Sequence, residues 1–551
     1  MSYLLYPLKR QYIVWTLSVA LTILLFGLAF IFPDWKYALG IPALLTLALS
    51  LLGLQDYTQT GRSILRNYPI AAHIRFLLED IRPEIRQYFI EGDKEGTPFG
   101  RDKRSIVYQR AKNQLDKRPF GTQYNVYKEG YEWLNHSMVP KPVASKPFRI
   151  TVGGPYCKQP YSASILNISA MSFGSLSSNA IMALNEGAKI SCFAQDTGEG
   201  GVSKYHEKYG GDLIWEIGSG YFGCNDEDGN FSRERFKKTA ALDQVKMIEI
   251  KLSQGAKPGH GGVLPKAKIT EEIAEARGIP MDRDCISPAY HSAFSTPMEL
   301  INFIGELRLM SNGKPIGFKL CIGHPWEFAA ICKAMIETGI TPDFIVIDGA
   351  EGGTGAAPLE FTDHMGMPMR EGLSYVHNML IGLDLRDHIK LGAGGMIASG
   401  FDMARAMALG ADWCNLARAF MFALGCIQSQ HCHTDECPVG VATQNPSRAR
   451  AIVVERKSKR VANYQKATVK ALAELVAAAG LDHPTEFTRD HFAVRTARDK
   501  VESLADLFPR IIPGAILEGS ALPFYMKAYD MADADSFLPR ETAKIEIVES
   551  A

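Results

Sequence analysis

From Tyr12 to Phe32 the chain reads YIVWTLSVALTILLFGLAFIF without one charge, about the length a bilayer core demands. Pro33, Asp34, Trp35 and Lys36 interrupt it. A second apolar run, YALGIPALLTLALSLLGL, follows from Tyr37 to Leu54, at the short end of the spanning range. Lys9 and Arg10 precede the first run and Arg62 and Arg66 follow the second, which assigns both outer ends to the cytoplasmic side. A cleaved signal peptide would share the first run's composition, but a second run with no A-x-A site between argues against it. The pattern predicts a two-helix transmembrane hairpin over 1–56 that anchors a cytoplasmic body at the cell membrane. Residues 57–149 mix helical stretches such as IAAHIRFLLEDIRPEIRQYF with aromatic-rich RPFGTQYNVYKEGYEWLNHS, and predict a helical and irregular adaptor region.

From about residue 150 short β-branched or apolar runs end in Gly, Asp, Lys or Ser and alternate with helical stretches. The runs are SILNISA from Ser164, ISCFAQ from Ile190, MIEIKL from Met247, DCISPA from Asp284, PIGFKL from Pro315, DFIVIDG from Asp343, IKLGAGG from Ile389 and DWCNLA from Asp412. Helical segments at 297–311, 326–338 and 399–409 fall between them. Strand–helix alternation carried to eight predicts an α/β fold, a (β/α)8 TIM barrel over 150–450. An open doubly wound sheet would alternate in the same way, so the count favours the barrel without proving it. About fifty residues separate the second and third runs, too many for one crossover, which predicts an insertion after strand 2. Residues 451–551 read as a C-terminal helical extension.

The chain has 551 residues, 46% hydrophobic and 22% charged, which excludes a disordered or fibrous protein. Lys plus Arg equal Asp plus Glu at 60 each, so nothing marks a nucleic-acid partner. Three of the ten cysteines crowd together: Cys426, Cys432 and Cys437 stand in C-IQSQH-C-HTDE-C-PVG. Thiolates at that spacing, the last followed by Pro438, suit an iron–sulfur cluster. Zinc with help from His431 and His433, or plain structural thiols, stays open on spacing alone.

The 49 glycines gather at strand ends. Met171 to Ser175 closes the first predicted strand, Thr197 to Gly201 the second, and Gly255 to Gly262 follows the third. Asp348 to Gly355 closes the sixth, Gly394 and Gly395 the seventh, Ala417 and Arg418 the eighth. In a barrel these ends share the face on which active sites are built, and phosphate sits after strands seven and eight. Gly394, Gly395 and Arg418 are therefore phosphate candidates, and the six loops together point to a large phosphorylated cofactor. The one GxGxxG match, Gly218 to Gly223, runs into CNDEDGN, which is turn material and not the helix a dinucleotide fingerprint needs. With no other nicotinamide-binding stretch, electrons are expected from an external donor protein. Lys251, Gln254, Lys257 and Arg277 offer three cations and an amide suited to a small dicarboxylate. Lys319, inside an apolar run, needs an anionic partner, and reduced flavin is one.

Residues from about 150 to 450 resemble the FMN-binding synthase domain of the glutamate synthase family, on the stretches MSFGSLS, TGEGG, IKLSQGAKPG, GGTGA and, most specifically, CHTDECPVGVATQ. The resemblance implies a barrel carrying FMN and a [3Fe–4S] cluster on Cys426, Cys432 and Cys437. It implies conversion of 2-oxoglutarate and ammonia to L-glutamate, with a hydride passing from flavin N5 to C2 of 2-iminoglutarate. Gln254, Lys257 and Arg277 are then the 2-oxoglutarate contacts, and Glu199, Lys257 and Lys319 the catalytic candidates. Met171, Ser172, Ser175, Thr197, Lys251, Lys319, Gly352, Gly353, Gly394, Gly395, Ala417 and Arg418 are the flavin-contact candidates. The chain departs from the family in its membrane hairpin, in offering no region for a glutaminase domain or a C-terminal β-helix, and in carrying His260 where the family's KPG-E-GG has a carboxylate. Those departures leave the amine open: ammonia, or an alkylamine as in an N-alkylglutamate synthase. A membrane-tethered electron-transfer subunit without turnover is the third expectation, against which the retained Gln254, Lys257 and Arg277 speak. The oligomeric state is not legible.

Overall fold

A computed structural model describes residues 9–277 and 279–540. They fall into two compact units that divide between Pro98 and Phe99, so the region expected as one adaptor is shared between both.

In the first unit helices Ile13–Ile31 and Lys36–Thr58 form an antiparallel hairpin around the Pro33–Trp35 turn. Both are long and apolar enough to cross a membrane, and nearly all their side chains face outward. A polar seam runs between them. The Ser18 hydroxyl lies 3.0 Å from that of Ser50, Thr22 Oγ1 lies 3.3 Å from Ser50 Oγ, and the Trp15 indole donates to Ser50 O at 2.9 Å. Gly53 makes room for that indole, since a Cβ there would lie 2.2 Å from Trp15 Cδ1. Hydroxyl pairing and small residues are how helices hold together where apolar burial gives no net attraction.

The second unit is built on a closed barrel of eight parallel strands. In chain order they are Leu166–Ile168, Gln195–Asp196, Leu213–Ile217, Val245–Lys251, Ile316–Leu320, Phe344–Asp348, Lys390–Gly394 and Trp413–Leu416, hereafter barrel strands one to eight. Strand eight closes on strand one through Cys414 opposite Leu166. Alternation splits each strand: Trp215 stacks outward on Phe236 of a surrounding helix, while Ile214 joins an inner cluster with Met247, Phe344, Val346 and Trp413. The antiparallel pair Arg149–Val152 and Tyr161–Ser164 joins that cluster through Val152, Tyr161 and Ala163.

The expected barrel is present, but two expectations are corrected. Leu213–Ile217 supplies strand three, and the run from Asp284 is not in the barrel: Cys285–Ile286 pairs antiparallel with Val263–Leu264. The insertion therefore follows strand four, over 252–296, and not strand two. It carries helix Glu271–Arg277. The reason is local. The crossover from strand two to strand three holds only the one-turn helix Lys204–Glu207, so no helix-length period announces it. Likewise the helix Ser178–Ser191 runs through Ile190, and Cys192, in the left-handed region at φ 54, ends it before strand two begins at Gln195.

Beyond the barrel, helix Val454–Ala478 lies against helices Ser178–Ser191, Gly400–Ala408, Arg418–Leu424 and Arg101–Ala111. The C-terminal part is not only helical. Strand Phe492–Ala497 pairs with Lys500–Ser503 on one side and with Glu132–Leu134 on the other. The Glu132 carboxylate there binds both Arg370 and Arg405.

Candidate active site

The inward-facing positions of strands two to five form a charged layer inside the barrel. Ligand atoms of Asp196, Glu216 and Glu249 lie within 4.8 Å of one another, all buried. Glu216 and Glu249 are register partners on strands three and four. Lys319 of strand five sends its ammonium to Glu216 and, at 3.3 Å, to Glu249. Burial pushes the Asp196 carboxyl well above the usual range, with Glu216 and Glu249 adding to it. Burial pushes Glu249 up to about 7, with Lys319 opposing and Glu216 adding. Burial disfavours the Lys319 cation, but Glu216 and Glu249 outweigh it and hold its pKa well above the usual value. The anionic partners of Lys319 are thus carboxylates of the barrel wall.

At the strand ends a second set of cations surrounds Glu199. Lys251 Nζ donates to Glu199 Oε2 at 2.8 Å. Burial works against the Glu199 carboxylate, but Lys251, Arg277 and Lys257 prevail and lower its pKa. Gly262 stands so near that a Cβ would lie 2.2 Å from Glu199 Oε1. Lys257 donates to Ala356 O at 2.9 Å, and burial lowers its pKa to about 8, Glu199 opposing and Lys251 adding. Arg277, 5% exposed, donates to Phe173 O at 3.0 Å, and its guanidinium lies over the Phe222 ring, 5.0 Å from the centroid. Gln254 Nε2 is buried and has no hydrogen-bond partner among the described residues. Lys251, Lys257, Arg277 and Glu199 therefore share one electrostatic neighbourhood, and Gln254 opens the same loop as Lys257.

The glycine-rich ends of strands four, six and seven are joined by hydrogen bonds from backbone N–H groups. Gly255 N donates to Asp348 Oδ2 at 2.8 Å, and Gly349 N to Gly394 O at 2.9 Å. A Cβ on Gly394 would lie 2.8 Å from Asp348 Oδ1, on Gly395 3.0 Å from Glu351 Oε1, and on Gly353 2.8 Å from Arg418 Cδ. Gly352 would bring a Cβ to 2.9 Å from Gly349 O. Arg418, just after Ala417, donates to Glu351 O at 2.6 Å and stacks on Phe99. On the near side, Ser172 Oγ donates to Ser175 Oγ at 3.1 Å, and Thr197 Oγ1 accepts from Glu216 N. Met171 is buried beside them.

Cys426 follows helix Arg418–Leu424, and Cys432 and Cys437 lie on the loop beyond it. All three are free thiols within electrostatic reach of one another. Burial pushes Cys426 up to about 12, Cys432 and Cys437 adding. Gln428, Gln430 and Asp435 take left-handed backbone, which costs non-glycine residues on the order of 1 kcal/mol each. Asp435 fastens the loop by accepting from Gln444 N at 2.6 Å and, through its carbonyl, from Thr443 Oγ1. Lys268 brings a cation beside Cys432 and Cys437 and is tied to Ser175 O at 2.7 Å.

Several groups escape sequence reading. His291 donates from Nε2 to Lys251 O at 2.8 Å and accepts at Nδ1 from the Tyr221 hydroxyl, which fixes its tautomer and steadies the end of strand four. The carboxylates Glu216 and Glu249 had a legible signal, a charge inside the buried runs LIWEI and MIEIK. Phe222 and Cys285 beside Arg277 had none. The GxGxxG stretch at Gly218 to Gly223 is turn, and the next helix, Arg233–Ala240, does not follow it directly.

The sequence family described as the conserved region in glutamate synthase matches residues 156–482. The glutamate synthase large subunit-like protein YerD of Bacillus subtilis (strain 168) is 35% identical over 517 residues, covering 86% of this chain and 98% of its own. The archaeal glutamate synthase (NADPH) of Methanocaldococcus jannaschii is 37% identical over 316 residues, 57% of this chain and 59% of its own, so the chain spans about three fifths of that relative. Among solved structures, a mutant flavocytochrome b2 with pyruvate bound aligns with a TM-score of 0.41 at 12% identity, over 86% of this chain and 96% of that one.

Proposed function

The chain belongs to the glutamate synthase family, and from that premise we propose that it is a membrane-tethered oxidoreductase that reductively aminates 2-oxoglutarate to L-glutamate. The observation that carries the reading is the buried, unpartnered Gln254 Nε2 beside a group of cations around Glu199. A donor left without an acceptor in a dry, cationic site costs roughly 1–3 kcal/mol until an anion fills it. The two carboxylates of 2-oxoglutarate suit Arg277 and Lys257, with Gln254 donating to either the carboxylate or the keto oxygen.

The residues fit both cofactors that this reading requires. At Gly352, Gly353, Gly394 and Gly395 any Cβ would strike Gly349 O, Arg418, Asp348 or Glu351, so only bare backbone fits at these strand ends, and with Arg418 as the cation they would hold the phosphate of FMN. Met171, Ser172, Ser175, Thr197 and Lys251 line the opposite strand ends, where the flavin ring would rest above the charged layer around Lys319. Cys426, Cys432 and Cys437, three free thiols spaced by five and four residues with Pro438 after the last, would hold the [3Fe–4S] cluster. When bound, the cluster and FMN supply electrons and a hydride for C2 of the imine. The chain does the rest: Arg277 and protonated Lys257 fix the substrate carboxylates, and Glu199, which stays ionised, would pair with the cationic iminium formed when the neutral amine condenses with the keto group and water leaves. An external donor protein would deliver the electrons.

His260, where the family carries a carboxylate, favours a second reading with an alkylamine. Its ring meets Phe361 edge to face at 5.4 Å, an apolar wall in place of an anionic one. The hairpin supports tethering at the cell membrane with the body cytoplasmic. Trp15 stacks on Tyr57 near the Lys9, Arg10 and Arg62 end, and Trp35 and Tyr37 mark the turn, as aromatic belts do. Anaerobic incubation of chemically reduced protein with 2-oxoglutarate and either ammonium or methylamine tests all of this. Glutamate is expected with ammonium. N-methylglutamate alone would select the second reading, and flavin reduction without either product would leave only an electron-transfer subunit.

A further inference from the structure

Directly after the hairpin, residues 72–90 carry an apolar stripe that no described part of the chain covers. Ile74, Leu77, Leu78, Ile81 and Ile85 recur at the three- and four-residue spacing of one helix face, through helices Ala72–Asp80 and Arg82–Ile85. All but Ile85 are exposed, Ile74 to 63%, and the following π turn Arg86–Ile90 ends on Phe89, 85% exposed, and Ile90. So much unburied apolar surface on short helices is not what a packed adaptor leaves in water. Arg75, Arg82 and Arg86 fall by the same periodicity along one margin of the stripe, with Asp80 and Glu84 on the other. Arg82 and Arg86 line a groove with Leu78, Ile85 and Ile90.

The segment is fastened at a defined level. Asp56, buried near the end of helix Lys36–Thr58, accepts from Ile70 N at 2.9 Å and from His73 Nε2 at 2.9 Å. That clamp holds the start of the amphipathic segment at the cytoplasmic end of the second apolar helix, which is headgroup level if the hairpin spans the bilayer. We propose that residues 72–90 form an interfacial platform lying on the cytoplasmic leaflet, the apolar stripe in the acyl boundary and Arg82 and Arg86 on lipid phosphates. The occupant is the bilayer because the stripe continues an apolar surface already embedded in it, and because cations at its margin match anionic headgroups. This rests on the membrane reading of the hairpin.

The test uses the full chain, reconstituted in vesicles of phosphatidylcholine and phosphatidylglycerol, with photo-crosslinking p-benzoylphenylalanine placed singly at Leu78, Phe89 or Phe30. Phe30, in the hairpin, reports the anchoring on its own. Lipid adducts at all three positions are expected, and R82Q/R86Q should cut the yield at Leu78 about fivefold while leaving Phe30 unchanged. Lipid adducts at Phe30 with none at Leu78 and Phe89, or with peptide adducts there, would overturn the platform and leave the anchor standing. An unchanged yield in the double variant would overturn the phosphate contact. No lipid adduct at Phe30 would overturn the anchoring itself.

Discussion

Arg277 ends the short helix Glu271–Arg277, where a basic residue commonly just caps the last turn, yet its guanidinium is buried under Phe222 and within reach of Glu199. Its fork can grip one carboxylate through two charge-assisted bonds, which a lysine cannot imitate. Arg277→Lys should raise the 2-oxoglutarate KM by roughly ten- to a thousandfold, with flavin content and cluster absorbance unchanged. Steady-state kinetics with an absorption spectrum check both halves. Lys257 makes a pH prediction. Burial lowers its pKa to about 8, and only the protonated form holds a carboxylate. Affinity for 2-oxoglutarate should therefore be full below that value and decline as pH rises through it, by roughly tenfold per unit. A KM–pH profile would show the bend, and Lys257→Arg, which stays charged, should remove it. Lys319 was legible as a buried cation in need of an anion. What the residue pattern alone could not convey is that Glu216 and Glu249, on neighbouring strands, supply one.

At the scale of elements, the loops after strands four and six are held in register by a missing side chain. A Cβ on Gly255 would lie 1.8 Å from Gly349 O, a backbone atom that no rotamer change can move aside. Gly255→Ala should force the two loops apart, lowering flavin content and 2-oxoglutarate affinity together and costing about 1–3 kcal/mol of stability. Gly355→Ala, where nothing lies within 4 Å, is the matched control and should leave both unaltered. Thermal melts and flavin-to-protein ratios distinguish the two variants. Elements were legible where their length carried a period. The helices Pro297–Met310, Pro325–Thr338 and Gly400–Ala408 sit within a residue or so of expectation. Strand three was not, because its run holds Glu216 and the crossover before it is a single helical turn. DCISPA has the look of a strand but contributes two residues to a small antiparallel pair, since Pro288 stops its extension.

For the whole molecule, the count of eight strand–helix repeats anticipated the barrel, whereas the division at Pro98 had no marker in composition. The second unit encloses its own core, and every candidate residue for flavin, cluster and substrate lies within it. Removal of residues 1–98 should yield a water-soluble protein that retains FMN and iron, as absorption spectra and metal analysis would show. Loss of flavin from that truncation would mean that the first unit is integral to the fold. The three-stranded sheet adds a constraint in time. Strand Glu132–Leu134 leaves the ribosome some 360 residues before its partner, as the register of Glu132 with Val494 dictates. At synthesis rates of about 5–20 residues per second, its edge waits unpaired for tens of seconds. The nascent body therefore carries an open sheet edge through most of this synthesis, and the sheet is completed only when Phe492–Ala497 arrives.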